Sequence, residues 1–201
     1  GGGSYMGLTV KNDGSSASLS GGTYKKIEWG KSYVPANEYL ADGYGYKTSD
    51  GTWEDGTASV DDVTVMPAPI KSTKVYPNSE TDYSGSTFDA KNSTSVTLTV
   101  SVTSDESAGL TYTWYRSIND EWRSLTNPYI TQGLTEKYTG ADSQTLSITE
   151  LPAGQTFSYK VQIATGDGYK CYSEPFTVTR HQHSWTYTAS GATITAKCTA
   201  E

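Results

Sequence analysis

The chain has 201 residues, enough for one or two compact domains, and a formal net charge of −7. This charge argues against nucleic-acid partners and against docking on anionic lipid, because binding to a polyanion requires a basic face. Charged residues are only 18% of the chain, while 16 tyrosines, 5 tryptophans and 20 glycines accompany abundant serine and threonine, a composition typical of twisted β-structure with polar turns.

Membrane and export signals are not evident in this piece of sequence. No segment approaches the roughly 20 consecutive apolar residues of a membrane-spanning helix. The first residues, "GGGSYMG", lack the basic region and the apolar run of a signal peptide. We therefore expect no membrane span in this fragment, and we expect any targeting or anchoring segment to lie outside it.

Residues 1–69 predict a small β-rich unit with one short helix. The pieces "LTV" and "SLSGGTY" are strand-like, and Pro35 and Gly43 bracket "ANEYLAD" as the start and stop of a helix. The stretch "YGYKTSDGTW" predicts a hairpin with Ser-Asp-Gly in its turn. "DDVTVM" predicts a further strand that the prolines of "PAP" end, which places the boundary at Met66–Ile70.

Residues 70–180 predict a two-sheet β-sandwich. Five runs between turn signals alternate apolar and polar residues, which places the apolar side chains of each strand on one side of its sheet. Strands with one apolar face must bury that face against a second layer. The expected core positions are Val96, Leu98, Val100, Val102, Leu110, Tyr112, Trp114, Leu146, Ile148, Phe157, Tyr159, Val161, Ile163, Phe176 and Val178.

The order of landmarks in this region resembles an immunoglobulin-like domain. A valine-rich strand precedes a tryptophan strand, and a tyrosine then stands two residues before a core position. The resemblance implies that Trp114 lies on strand C and Tyr159 on strand F. It also implies that Leu98 and Val161 stand near the positions of the family's paired cysteines. The sandwich is then held by packing alone, as in many bacterial immunoglobulin-like modules.

The flanking segments resemble parts of bacterial surface proteins. "LSGGTY" resembles a rung of their β-helical repeats, and "LADGYGYK…DGTW…VTVMPAPI" resembles a segment that ends such solenoids in Gram-positive surface proteins. "HQHSWTYTASGATITAKCTAE" is similar to the opening of a repeat found there in tandem. Together they imply a fragment of a modular cell-surface protein: a β-rich unit or solenoid end at 1–69, the sandwich at 70–180, and the truncated start of a further β repeat at 181–201.

No residue pattern predicts catalysis. Nucleophilic catalysis needs a nucleophile, a base and an orienting group within hydrogen-bond reach, and the only imidazole bases are His181 and His183 in the last segment. Adjacent carboxylates on a strand point to opposite faces. Three acidic pairs are therefore better interpreted as solvated turn charges than as acid/base dyads. We expect no enzyme activity, no catalytic residue and no cofactor. The pairs are Asp61–Asp62, Asp105–Glu106 and Asp120–Glu121.

Two cysteines are too few for a disulfide framework, and the sequence leaves open whether Cys171 and Cys198 are bridged. The His-x-His spacing of His181 and His183 projects both rings to one side of a strand, and Cys198 could add a third metal ligand. A zinc site requires three or four ligands. We interpret this segment as a solvated tail and expect no metal site.

Two classes of function remain open. The first is a non-catalytic extracellular module of a bacterial surface protein, acting in adhesion, binding or as a spacer. The second is a carbohydrate-binding module attached to an extracellular glycan-degrading enzyme, which requires an exposed aromatic platform. Trp122, Tyr129 and Tyr138 are the candidates for it, with Trp29 and Trp53 as further ones. We expect a monomer, secreted or attached to the cell wall, whose partner is an extracellular protein or glycan.

Overall fold

The computed structural model describes residues 4–5, 8–10, 18–29, 36–54, 56–57, 59–105 and 109–198. The strands of its first part are β1 Ser4–Tyr5, β2 Leu8–Val10, β3 Gly22–Trp29, β4 Tyr44–Thr48, β5 Trp53–Glu54 and β6 Val60–Pro67. Those that follow are β7 Ile70–Pro77, β8 Thr87–Asp89, β9 Val96–Ser104, β10 Thr111–Ile118, β11 Glu121–Ser124, β12 Lys137–Thr139, β13 Thr145–Thr149, β14 Gln155–Ala164, β15 Lys170–Tyr172, β16 Phe176–Arg180, β17 Trp185–Ser190 and β18 Thr193–Cys198. A 3-10 turn covers Ala36–Tyr39, and helix α1 covers Pro128–Thr131.

The chain divides into two compact units. The first combines residues 1–73 with 102–111 and 163–171, and the second combines 74–101, 112–162 and 172–201. The boundary that the sequence predicts at Met66–Ile70 stays a prediction.

The sheet of the first unit has the strand order β1-β3-β6-β4-β5, with β2 also paired to β3. β1 and β2 run parallel to β3, whereas β6 pairs antiparallel with β3 and β4. The predicted hairpin "YGYKTSDGTW" is confirmed as β4 and β5, and the strand predicted at "DDVTVM" is confirmed as β6. Whether this sheet ends a solenoid stays a prediction. Its core consists of Tyr24, Ile27, Ala36, Tyr39, Tyr46, Val60, Val63 and Val65.

The short helix predicted in "ANEYLAD" is present as a single 3-10 turn, Ala36–Tyr39, which ends before the predicted stop at Gly43. The backbone N–H of Leu19 donates to the Tyr39 carbonyl at 2.7 Å, and the Ala41 N–H donates to the Leu19 carbonyl at 2.9 Å. These bonds form a bridge between Leu19 and Leu40. The backbone groups that would continue the helix are therefore used by another segment. Pro35, the predicted helix start, lies outside the described residues.

The remaining long strands form the two sheets of a sandwich. One sheet has the order β12-β13-β9-β7, and the other has the order β11-β10-β14-β16-β8 with β15 on β14. Across the first sheet β7, β9, β13 and β12 follow the A-B-E-D order of the immunoglobulin fold. Across the second sheet β10, β14 and β16 follow its C-F-G order, with β11 and β8 added at the two edges. The rings of Tyr138 on β12 and Tyr159 on β14 meet edge to face, with 6.3 Å between their centroids. The two sheets thus face each other, and the expected all-β, immunoglobulin-like class is confirmed.

The predicted alternation of buried and outward-facing residues is confirmed in β9, β13, β14 and β16. Strand β9 buries Val96, Leu98 and Val100, but Val102 is only half-buried. At a hairpin before β13, Gly140 has φ +75°, and a Cβ there would lie 2.3 Å from the Thr145 carbonyl oxygen, so only glycine fits. Further buried positions are Leu146, Ile148, Phe157, Tyr159, Val161, Ile163, Phe176 and Val178.

Candidate binding face

The sheet of β10, β11, β14, β15 and β16 has one side turned away from the core. Strand β14 buries alternate residues from Phe157 to Ile163, so Lys160 and Gln162 point to the opposite side. On β10 the buried Trp114 likewise turns Tyr115 and Ser117 outward. Ser117 pairs with Trp122 of β11, which brings that indole to the same side. We call this surface the outer face: Tyr115, Trp122, Lys160, Gln162 and Tyr172.

Lys160 lies at the centre of the outer face between two aromatic rings. Its Nζ is 4.6 Å from the centroid of the Trp122 ring and 4.4 Å from that of Tyr172. Partial burial lowers the pKa of Lys160 below its ordinary value. Among the residues that the structure describes, no carboxylate lies within ion-pair distance of this ammonium group. The outer face therefore presents a positive charge. The two aromatic rings attract this charge, but they carry no negative charge that would neutralise it.

Tyr172 connects Lys160 with two further outer-face residues. Its ring meets Tyr115 edge to face, with centroids 5.9 Å apart and planes at 65°, and its hydroxyl accepts a hydrogen bond from Gln162 Nε2 at 2.5 Å. Burial, and then the nearby Tyr172, raises the pKa of Tyr115. Tyr172 is nevertheless 49% exposed. The aromatic rings are accessible, but they do not form a coplanar row.

The structure places the three predicted platform residues on three different elements. Trp122 belongs to the outer face on β11, while Tyr129 lies on α1 and is 85% exposed. Tyr138 lies on β12, where its hydroxyl donates to Glu136 at 2.7 Å and lies 3.5 Å from the Tyr159 hydroxyl. Burial raises the pKa of Tyr138 well above its ordinary value. Trp122 is thus grouped with Tyr115 and Tyr172, two tyrosines that the sequence did not single out.

The four predicted core landmarks lie in the interior of the sandwich. Leu98, Trp114, Tyr159 and Val161 are each 0% exposed. The indole N–H of Trp114 donates to the carbonyl of Ser143 at 2.8 Å, so its one polar group is satisfied. Burial raises the pKa of Tyr159 to about 12.

In the first unit, three side chains surround one carboxylate, Asp167, and the sequence did not predict this cluster. Asp167 accepts hydrogen bonds from Trp53 Nε1 at 2.7 Å, Lys47 Nζ at 2.9 Å and Thr165 Oγ1 at 2.6 Å. Burial acts to raise the pKa of Asp167, but these three donors outweigh it and lower the pKa to about 2. Trp53 also contacts Tyr169 edge to face at 5.1 Å between centroids. The arrangement holds an ionised, weakly basic carboxylate, which suits a structural clamp better than proton transfer.

One member of each predicted acidic pair forms an ion pair, the two cysteines are not bridged, and the two histidines lie near Cys198. Asp62, Asp105 and Glu121 form ion pairs with Lys25, Lys71 and Arg123, all on largely exposed side chains. Cys171 and Cys198 are free thiols, and burial raises the pKa of Cys171 to about 11. His181, His183 and Cys198 lie together near the start of β17 and the end of β18.

Comparison with known proteins finds matches among solved structures. No protein-family model matches the chain, and no curated protein matches it. The chain is similar to the crystal structure of murine CEACAM1b, with 14% sequence identity over 73% of this chain and a TM-score of 0.32. The match covers 61% of the length of that solved chain. Among the described residues, no helix combines the length and the apolar character needed to span a membrane.

Proposed function

We propose that this chain is a non-catalytic binding module, and that its outer face contacts an acidic patch on an extracellular protein. The observation that carries this proposal is Lys160, held between Trp122 and Tyr172 on an open sheet face. Aromatic residues are enriched in protein interfaces because a rigid ring supplies much contact area at little entropic cost. An uncompensated ammonium group among such rings favours a partner that supplies a carboxylate.

A protein partner fits this face better than a sugar does. A sugar ring stacks on the flat face of an aromatic side chain, and Lys160 already lies over the faces of both Trp122 and Tyr172. The 65° angle between Tyr115 and Tyr172 gives no flat row on which successive sugar units could stack. Serine and threonine hydroxyls on the neighbouring strand positions, such as Ser158 and Thr177, add hydrogen-bonding groups suited to a polar interface rim.

The proposed setting is the outside of a bacterial cell, with the module secreted or attached to the wall as an adhesin or spacer. The support for this setting is the chain's polar, tyrosine-rich composition with two cysteines, together with the resemblance of "LSGGTY" and of the last 21 residues to surface-protein repeats. The alternative function is a carbohydrate-binding module attached to a glycan-degrading enzyme. The observation that favours it is the exposure of Tyr129, at 85%, and of Tyr172.

One experiment separates the two functions. The labelled chain is applied to a glycan array and, in parallel, to immobilised extracellular-matrix proteins at low and high salt. The double variant Trp122→Ala/Tyr172→Ala removes the outer-face rings, and Thr99→Ala/Thr145→Ala is a matched control on the opposite sheet, where the two hydroxyls lie 3.0 Å apart.

The proposal predicts binding to a protein probe that weakens with salt and is lost in the aromatic double variant but not in the control. Glycan binding that is lost in the same variant would establish the alternative. Binding to both classes that is unchanged in the variant would contradict a role for the outer face.

A further inference from the structure

The tail of the chain brings three metal-binding side chains together. Nδ1 of His183 lies 3.2 Å from Sγ of Cys198, and one ligand atom from each of His181, His183 and Cys198 lies within 4.8 Å of the others. The pairing of β17 with β18 explains why these side chains lie close together. Trp185 at the start of β17 pairs with Cys198 at the end of β18, so the thiol is brought beside the residues that precede β17. We call these three residues the tail cluster.

The distances in the tail cluster are close to those of an occupied zinc site. Zinc binds imidazole nitrogen at about 2.0–2.1 Å and thiolate sulfur at about 2.3 Å in a tetrahedral arrangement, which places neighbouring ligand atoms about 3.3–3.6 Å apart. The His183–Cys198 pair is already at 3.2 Å. The longest separation, within 4.8 Å, would have to close by little more than 1 Å. Side-chain rotation on an exposed hairpin can supply that movement.

A carboxylate orients the first histidine of the cluster. Asp89 on β8 accepts a hydrogen bond from Nδ1 of His181, at 3.0 Å to its Oδ2. Asp89 pairs with Thr179 on the parallel strand β16, and Thr179 precedes His181 by two residues, so this pairing holds the carboxylate near His181. A histidine whose Nδ1–H donates to a carboxylate has its Nε2 lone pair free for a metal ion, and this pairing is common behind zinc-bound histidines.

A neighbouring tryptophan holds the ring of the second histidine. The His183 ring stacks on Trp185, with centroids 5.2 Å apart and planes at 14°, which fixes its plane. In this orientation Nδ1 lies 3.2 Å from the Cys198 sulfur, so Nδ1 is the nitrogen that would bind an ion, and the ring proton would stay on Nε2. His183 is therefore placed to act as a metal ligand beside the thiol.

We propose that His181, His183 and Cys198 bind one zinc-class divalent ion, with Asp89 as a positioning residue behind His181. Two imidazoles and one thiolate suit a borderline-soft transition metal, whereas Mg²⁺ and Ca²⁺ prefer oxygen ligands. The three protein ligands leave one tetrahedral position for water or another donor. The ion would fasten the β17–β18 hairpin, in which every described residue except Cys198 is exposed. A two-stranded hairpin is only marginally stable in water by itself.

The test is a cobalt(II) titration of the untagged 201-residue chain, kept reduced and stripped of metal beforehand. Cobalt in a tetrahedral site that contains sulfur gives visible absorption and a thiolate-to-metal charge-transfer band. The proposal predicts that both signals saturate at one equivalent, that zinc abolishes them, and that excess magnesium or calcium does not.

Variants assign the ligands. Cys198→Ser should remove the charge-transfer band, and His183→Ala should weaken cobalt binding. Asp89→Asn should keep the band but weaken cobalt binding by about 10- to 100-fold, as expected of an outer-shell partner. Cys171→Ser is the matched control, because this second thiol lies outside the cluster, and it should leave the titration unchanged. Circular dichroism checks that each variant keeps the sandwich fold.

Three results would overturn the proposal. The first is the absence of a charge-transfer band at millimolar cobalt. The second is a band that persists in Cys198→Ser, which would mean an adventitious site only. The third is equal loss of the band in Cys171→Ser. None of these variants touches the outer face, so a failure here leaves the proposed binding function to be judged separately.

Discussion

The guanidinium of Arg116 and the carboxylate of Glu136 form an ion pair inside the sandwich, where the two side chains are 12% and 3% exposed. Tyr138 donates its hydroxyl hydrogen to the same carboxylate at 2.7 Å. The Arg116 guanidinium also lies 4.5 Å from the centroid of the Phe157 ring. The interior of this sandwich is therefore held by a charged network as well as by apolar packing.

Breaking this pair from one side should be costly. Glu136→Ala leaves the Arg116 charge and the Tyr138 hydroxyl buried without their partner, and loss of one member of a buried pair typically costs about 3–5 kcal/mol. Urea denaturation measures the change in the free energy of unfolding. The matched control is Glu121→Ala, which removes the exposed partner of Arg123 and should cost less than about 1 kcal/mol. Equal losses in the two variants would contradict a buried role for Glu136.

Trp114 should be the residue on which the sandwich core depends most. It is 0% exposed, and its indole N–H is bonded to the Ser143 carbonyl. Trp114→Ala creates a large cavity and should cost roughly 3–5 kcal/mol, seen as a large drop in the thermal midpoint. Trp185→Ala is the comparison, since Trp185 is 49% exposed on the hairpin. A melt of Trp114→Ala within a degree or two of the parent would show that the core does not rest on this indole.

The alternation of apolar residues was sufficient to predict the main strands, because a period of two fixes which side chains face the core. It also turns Tyr115 and Lys160 outward, yet the outer face was missed. The cation–π contacts of Lys160 depend on which strands are neighbours, and only the paired sheet shows that Trp122 and Tyr172 flank it. The sequence showed only that Lys160 lies within an alternating strand.

Long-range polar pairs were beyond sequence analysis for a similar reason. Asp89 and His181 are 92 positions apart, and Lys47 and Asp167 are 120 apart. Neither pair follows a local pattern, because each depends on how distant segments fold together. The His-x-His spacing and Cys198 could be recognised in the sequence. That Asp89 lies beside His181 and orients its ring could not.

The free energy of unfolding of the first unit should decrease as the pH falls from about 4 towards 2. Asp167 has a folded-state pKa of about 2, below its ordinary 3.8, because Thr165, Lys47 and Trp53 donate to it and outweigh the opposing effect of burial. A lowered folded pKa means that the contribution to stability is complete above about pH 4 and is lost as the pH falls towards 2. With 29% of the side chain exposed, that contribution is about 1–2 kcal/mol.

Asp167→Asn checks this dependence. Denaturant unfolding at several pH values between 2 and 6 should show the parent more stable than the variant at pH 6, with the difference shrinking steadily below pH 4. Asp50, which also has a pKa of about 2, is present in both proteins and cancels in the comparison. A difference that stays constant down to pH 2 would mean that the Asp167 charge is not what stabilises the cluster.

Removing the tail should leave the sandwich folded. Deleting residues 181–201 removes a hairpin whose described residues are exposed apart from Cys198. In the presence of a chelator, the free energy of unfolding should change by less than about 1–2 kcal/mol, the scale of peripheral changes. Under the same conditions Cys198 of the full chain should react with a thiol reagent, because it is not bridged. Aggregation of the truncated chain, or a mass spectrum that joins Cys171 to Cys198, would show that the tail is part of the sandwich.

The affinity of the outer face for the protein probe that the binding panel identifies tests the proposed binding function most directly. Calorimetry would compare the dissociation constant of the parent with those of Lys160→Gln, Tyr172→Ala and Tyr129→Ala, the last being an exposed aromatic on α1 that serves as the matched control. We expect at least about tenfold weaker binding for the first two, a loss typical of central interface residues, and no change for Tyr129→Ala. Equal affinities for all four proteins, or a loss confined to Tyr129→Ala, would contradict the proposal that this module binds through its outer face.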